Sequence, residues 1–282
     1  MITILGAGLL GSGFARALRR QGHDVRVWNR TPAKAQALVT DGVSVAADPA
    51  EAVRGAERVH VVVSDDAAVD SVLAAAAPGL ASGALVFDHS TTSPAGALGR
   101  TTRWRERGIT FVHAPVFMGP QNALESTGMM LISGDRDVVA RVSPLLAPMT
   151  GKLVDVGPRV DRAAAFKLLG NLMLMAFTAG FTDFLALAKA LDVSPAEAGT
   201  LFEHFNPGPS LPARYRRMTE AAYDQPSWEL AMARKDARLM QEEAARANLP
   251  LVMVPALAQL MDAMIARGHG HADWTVVGKD LV

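Results

Sequence analysis

Met1-Ile-Thr-Ile-Leu5-Gly6-Ala7-Gly8-Leu9-Leu10-Gly11 opens the chain and decides how the rest is read. Ile2 to Leu5 has the apolar, β-branched character of a buried strand, and Phe14-Ala-Arg-Ala-Leu18 is compatible with a helix. The glycines between them suit a dinucleotide turn. Gly6 permits the sharp reversal, Gly8 lets the backbone approach a pyrophosphate, and Gly11 allows close packing of helix on strand. The helix N-terminus then presents unpaired N–H groups to the phosphates. A glycine-rich turn alone is a weak signal, but here a strand precedes it, a helix follows, and Asp24 to Trp28 reads as a second strand. Gly6, Ala7, Gly8, Leu9, Leu10 and Gly11 are therefore expected to bind the cofactor.

The end of the second strand bears on which dinucleotide binds. A carboxylate there would hold the ribose 2′-hydroxyl of NAD. This chain has Asn29-Arg30-Thr31 instead. Nothing in it repels a 2′-phosphate, and Arg30 can pair with one through charge-assisted hydrogen bonds. Thr31-Pro32 also reads as an N-cap and first helical residue. The expectation is NADP, with NADPH preferred over NADH, held partly by Asn29, Arg30 and Thr31.

Strands and helices go on alternating through Val59–Val63, Leu85–Phe87, Thr110–Val112, Met129–Ile132 and Leu153–Val156. Such alternation predicts a mostly parallel, Rossmann-type sheet with ligands at the carboxyl ends of its strands. Val63, Ser64, Ser90 and Thr91 fall at such ends. Asp65 and Asp66 read as first-turn partners of a helix dipole rather than metal ligands. From Val160 to Leu191 no proline interrupts, and Leu168 to Thr182 carries no charge, so one long helix is expected. Only helical segments follow: Ser194-Pro195-Ala-Glu197 resembles a capping box, and Glu229–Ala247 and Val252–Arg267 read as further helices. The expected organisation is an α/β dinucleotide-binding domain over 1–160 and an all-helical substrate and oligomerisation domain over 161–282.

Composition removes several function classes. Lys+Arg and Asp+Glu number 28 each, and no basic run points to nucleic acid. There is no cysteine, which excludes disulfides, thiolate metal sites and a cysteine nucleophile. No metal site is expected, since His269 and His271 lack a third ligand. The uncharged run of 15 residues is shorter than the ~20 needed to span a bilayer, so no membrane is expected and burial against helices or a second subunit is. A strand beginning at Ile2 leaves no room for a signal peptide, giving a cytoplasmic expectation. The apolar long helix suggests a homodimer or homotetramer.

Five motifs in order resemble the β-hydroxyacid dehydrogenase family, which includes 3-hydroxyisobutyrate dehydrogenase, tartronate semialdehyde reductase and the glyoxylate/succinic semialdehyde reductases. Beyond the glycine turn, Asp88-His-Ser90-Thr91-Thr-Ser-Pro94 looks like the family's D-x-S-T-x-x-P, and Ala114-Pro115-Val116 like the start of its substrate segment. Lys167-Leu-Leu-Gly-Asn171 matches the catalytic K-x-x-x-N, Lys235-Asp236 a K-D pair, and Gly268-His-Gly270-His-Ala-Asp273 the closing G-x-G-x-x-D.

The resemblance implies a 6-phosphogluconate dehydrogenase-like fold and reversible reduction of a small aldehyde or keto compound to its hydroxyacid or alcohol. Lys167 would protonate the carbonyl oxygen and stabilise the developing alkoxide. Asn171, one turn on, would hold Lys167 or the substrate. Lys235 would sit over the nicotinamide, and Ser90, Phe117, Met118 and Gly119 would meet substrate. One departure stands out: the family's D-A-P-V-S-G-G reads His113-Ala-Pro-Val-Phe117-Met118-Gly119-Pro120 here, a bulkier segment whose Pro120 has no N–H. It narrows the site or favours a less polar substrate. Two alternatives are an imine reductase, which shares the architecture but generally lacks the lysine, and a silent nucleotide-binding scaffold, which would be expected to have lost Lys167.

Overall fold

A computed structural model describes residues 1–282 and divides them into two compact units, Met1–Leu172 and Met173–Val282. In the first, β1 (Ile2–Leu5) leads into α1 (Leu9–Arg20), β2 (Val25–Trp28), α2 (Pro32–Gln36), β3 (Ser44–Val45), α3 (Pro49–Val53), β4 (Arg58–Val61) and α4 (Asp66–Ala76). β5 (Leu85–Asp88), α5 (Pro94–Arg105) and β6 (Thr110–His113) complete a six-stranded parallel sheet of order β3-β2-β1-β4-β5-β6. This is the Rossmann order, and its direction reverses between β1 and β4, where ligands bind in such sheets. Ile4, Leu5, Val27, Val59, Val61, Val86 and Phe87 are fully buried, as expected of strands covered on both faces.

The remaining strands of this unit do not extend that sheet, which corrects the single-sheet expectation. β7 (Val116–Phe117), α6 (Pro120–Glu125), β8 (Met129–Ile132), α7 (Arg136–Leu146) and β9 (Lys152–Asp155) follow. They build a separate three-stranded sheet of order β7-β8-β9, with β7 antiparallel to β8. Phe117 pairs with Met129 in this register. β7, only two residues long, is too short for periodicity to reveal. Pro120 is the first residue of α6, where its missing N–H costs nothing.

The predicted long helix is α8 (Arg162–Ala190), 29 residues and therefore about 44 Å long. It runs from the first unit into the second. Its start is tied to β8: the Ser133 hydroxyl accepts the Ala163 N–H at 2.9 Å and donates to the Val160 carbonyl at 3.1 Å. By length and composition the whole helix is apolar enough to cross a membrane, which the uncharged run considered alone had understated.

The second unit continues with α9 (Pro195–His204), α10 (Leu211–Thr219), α11 (Leu230–Arg246) and α12 (Val254–Ala266), then a 3-10 segment over Trp274–Leu281. Ser194 and Glu197 form the predicted capping box of α9. The buried Asp183 of α8 accepts N–H bonds from Met253 and Val254 at 2.8 and 2.9 Å, and also from Val252, at the start of α12. Asp273, from the closing motif, is fully buried. It accepts from Ser227 N, Ser227 Oγ and Thr275 Oγ1 at 2.8, 2.8 and 2.6 Å and pairs with Arg217. Burial pushes its pKa up, but these hydrogen bonds outweigh that and hold it well below the usual range.

Candidate active site

The glycine turn has the geometry its sequence requires. Gly6 adopts φ +114°, where a Cβ would lie 2.1 Å from the Val62 carbonyl oxygen. A Cβ on Gly11 would lie 1.9 Å from the Gly6 oxygen, so this close approach of helix to turn excludes any side chain. Gly8 is the N-cap of α1 and supplies no side-chain cap; the first helical bond runs from Ser12 N to Gly8 O. The N–H groups of Leu9, Leu10 and Gly11 therefore lack intrahelical partners, at the positive end of a 12-residue helix. A cleft of about 440 Å³ borders this turn, lined among others by Gly8, Leu9, Ser12, Arg16 and Lys34. Free N–H donors, open space and flanking cations fit the pyrophosphate of a dinucleotide.

Asn29 is engaged within the chain. Its Oδ1 accepts the Ala7 N–H and its Nδ2 donates to the Thr31 carbonyl, both at 2.9 Å. It braces the turn from the end of β2. Arg30 is exposed and unpaired, and the Thr31 hydroxyl makes no capping bond, so both stay available to a ligand. Lys34, which sequence reasoning passed over, lies four residues beyond Arg30 on the opening turn of α2. It lines the cleft at the glycine turn.

At the ends of β4 and β5, the Val63 N–H donates to the Ser90 hydroxyl at 3.0 Å. Ser90 is buried and joins two strand ends, whereas Ser64 and Thr91 are exposed. Asp65 caps α4 by accepting the Ala68 N–H at 2.8 Å, and Asp66 takes the Ser93 N–H and the Arg100 guanidinium.

Behind these ends lies a buried polar chain whose parts the sequence showed only singly. His60 Nδ1 meets His89 Nε2 at 2.9 Å, and His89 Nδ1 meets the Ala114 carbonyl at 2.7 Å. A carbonyl only accepts, so His89 carries its proton on Nδ1, and neutral His89 then accepts from His60 Nδ1–H. Burial pushes the His89 pKa down to about 4 and that of His60 well down, the latter also through the neighbouring His89 and Arg58. His113 donates to Asp88 at 3.1 Å.

Lys167 is nearly buried, 9% exposed, and no carboxylate pairs with it. Its Nζ lies 4.1 Å from the centre of the Phe117 ring, a cation–π contact. Desolvation holds its pKa below the ordinary lysine value. Asn171 makes no hydrogen bond to Lys167, and its amide is free. Met118 packs toward the core of the unit. Lys235, in the second unit, pairs with the adjacent Asp236 at 2.8 Å. His271 contacts Glu229 and His269 contacts Lys279, each through an ordinary side-chain pair.

The Rossmann sheet and the free N–H groups at its glycine turn fit a nicotinamide dinucleotide, and the chain is an NAD(P)-dependent oxidoreductase. The model of the NAD binding domain of 6-phosphogluconate dehydrogenase matches residues 1–157. The model described as NAD-binding of NADP-dependent 3-hydroxyisobutyrate dehydrogenase matches residues 162–279. The chain belongs to the β-hydroxyacid dehydrogenase family. It is 26% identical to the 3-sulfolactaldehyde reductase of Escherichia coli over 98% of this chain and 94% of that one. It is 28% identical to the chloroplastic glyoxylate/succinic semialdehyde reductase 2 of Arabidopsis thaliana, over 69% of this chain and 55% of that one. Its fold matches the imine reductase of Myxococcus stipitatus in complex with NADP+ over the whole of both chains, with TM-score 0.91 and 21% identity.

Proposed function

We propose that this protein is an NADPH-dependent reductase of a small aldehyde or ketone, running reversibly toward the alcohol or hydroxyacid. The observation that carries the reading is Lys167: a nearly buried amine with no counter-charge. Burying a cation without a counter-charge costs free energy, which the contact with the Phe117 ring offsets only in part. A bound nicotinamide supplies the hydride. Lys167 donates its Nζ proton to the carbonyl oxygen and its positive charge stabilises that oxygen as charge develops. In the reverse direction its lowered pKa lets the amine take the proton back. The free Asn171 amide, one turn along α8, orients the substrate. Arg30, Thr31 and Lys34 favour the 2′-phosphate of NADPH.

The test is NADPH oxidation, with NADH in parallel, against aldehydes, keto compounds and cyclic imines, with Lys167→Ala as control. Carbonyl turnover that the variant loses supports the reading. Turnover of imines alone supports imine reduction, and cofactor binding without turnover supports a silent nucleotide-binding role.

The same reading includes a homodimer or homotetramer. Leu169, Leu172, Leu174, Met175 and Phe181 of α8 are each more than half exposed, an apolar surface too extensive for an isolated chain. Light scattering after size exclusion would show the assembly, and Leu172→Glu with Met175→Glu would dissociate it. A monomeric wild-type protein refutes this part.

A further inference from the structure

The substrate segment carries one arrangement that the proposed chemistry does not require. Phe117 lies on β7, fixed by its antiparallel pairing with Met129. Its ring covers the Lys167 amine at 4.1 Å, and its tip points at Gly170 of α8. A Cβ on Gly170 would lie 2.2 Å from Phe117 Cζ and 2.6 Å from Cε1, so the ring has its place only because residue 170 has no side chain. The backbone behind it is also close-packed: a Cβ on Gly128 would lie 2.9 Å from the Phe117 carbonyl oxygen and from Met118 Cγ.

Two positions of the segment offer an anion no donor. The Gly119 N–H already donates to Asn122 Oδ1 at 2.9 Å, and Asn122 is held in turn by Thr127 at 3.0 Å. Pro120 has no N–H. A carboxylate placed here would meet a ring face, an engaged amide and a proline. The Lys167 ammonium, lying over that ring, would pair with the carboxylate, and that ion pair would draw the ammonium from the carbonyl oxygen it must protonate. An uncharged substituent meets no such conflict, since the edge of an aromatic ring and apolar carbon pack favourably.

We infer that Phe117, seated on Gly170, sets the substrate class: an aldehyde or ketone with an uncharged apolar substituent, in place of one bearing a carboxylate. This rests on the carbonyl-reductase reading above and narrows it to the alcohol-forming branch.

The experiment compares succinic semialdehyde with its uncharged near-isostere 4-methylpentanal, using the full-length protein and NADPH. The expected kcat/KM favours 4-methylpentanal at least tenfold. Phe117→Ser reduces that preference at least tenfold, through KM more than kcat. Gly170→Ala weakens turnover of both compounds by displacing the ring, and Phe117→Ser/Gly170→Ala relieves the loss. Circular dichroism melts on each variant exclude unfolding as the cause. A wild-type protein that prefers the semialdehyde or treats both alike overturns the inference, as does a ratio unmoved by Phe117→Ser. Calorimetric binding of 4-methylpentan-1-ol and 4-hydroxybutyrate to the NADP+-loaded protein reads the same selectivity without turnover. At least tenfold tighter binding of the alcohol is expected, and equal, reversed or absent binding overturns the inference. Absence of hydride transfer to any carbonyl, with the alcohol still preferred, would refute the reductase reading and leave the selectivity standing.

Discussion

Acid should destabilise the first unit well before its carboxylates protonate. His89 is buried, donates from Nδ1 to the Ala114 carbonyl and accepts from His60, and its pKa is pushed down to about 4. Protonating it would place two N–H donors face to face across 2.9 Å. In the unfolded chain the same imidazole titrates near 6.5. Above that pH neither state holds the proton, and the full stability is present. As pH falls from about 6.5 toward about 4 the unfolded chain takes up a proton that the folded chain refuses, so stability is lost through that window. Each pH unit well inside it costs about 1.4 kcal/mol, so about 2.7 kcal/mol is gone by pH 4.5 from His89 alone. His60, also shifted downward, adds to the loss. Against a total stability of about 5–15 kcal/mol this is a large share. Urea unfolding followed by circular dichroism between pH 8 and 4.5 measures it. Carboxylates with lowered pKa values begin to contribute below about pH 5, so the His89 share is read as the difference from a variant. His89→Asn should reduce the slope below pH 6 by about 1.4 kcal/mol per unit. A stability flat across this range, or a slope unchanged in His89→Asn, would refute the reasoning.

Three further outcomes follow from other parts of the molecule. Lys167→Ala should slow carbonyl reduction by about 10²- to 10⁴-fold in single-turnover measurements, the worth of a positioned proton donor. Because desolvation lowers the Lys167 pKa, the wild-type reduction rate should fall as pH rises through a value below the ordinary lysine range, and the variant should lack that limb. Arg30→Ala should raise KM for NADPH at least tenfold while leaving KM for NADH within about twofold, since only the 2′-phosphate offers the guanidinium a charge-assisted pair; equal effects on both would refute the assignment. Asp273→Ala should destabilise the second unit by about 3–5 kcal/mol in urea unfolding, because it strands Arg217 and the donors of Ser227 and Thr275.

Much of this protein was legible along the chain. The glycine turn could be read because its demands are local: Gly6 needs a positive φ and Gly11 a missing Cβ within a few residues of one another. The capping box at Ser194 and Glu197 is local for the same reason, as are the bounds of α8, which fall within two residues of those read from the sequence. Lys167 was legible through its motif, but its desolvation and missing counter-ion were not. Nor was the second sheet, since a two-residue β7 has no period to detect.

What the tertiary structure alone decided are the contacts between residues far apart in sequence. Asp161 is placed to cap α8, yet it pairs with Arg159 while Ser133, from the end of β8, holds the helix start. Asn29, at the end of β2, holds Ala7 of the glycine turn. His60 and His89 become a buried pair, and His113 the partner of Asp88, only where three parallel strands lie side by side. Gly170 looks like a weak point in a helix until the Phe117 ring is found against it. Backbone geometry is dictated by neighbours in sequence, whereas burial, pairing and desolvation are dictated by neighbours in space. The nucleotide fold and the motif that carries Lys167 belong to the first kind of information, and the surroundings of that lysine belong to the second.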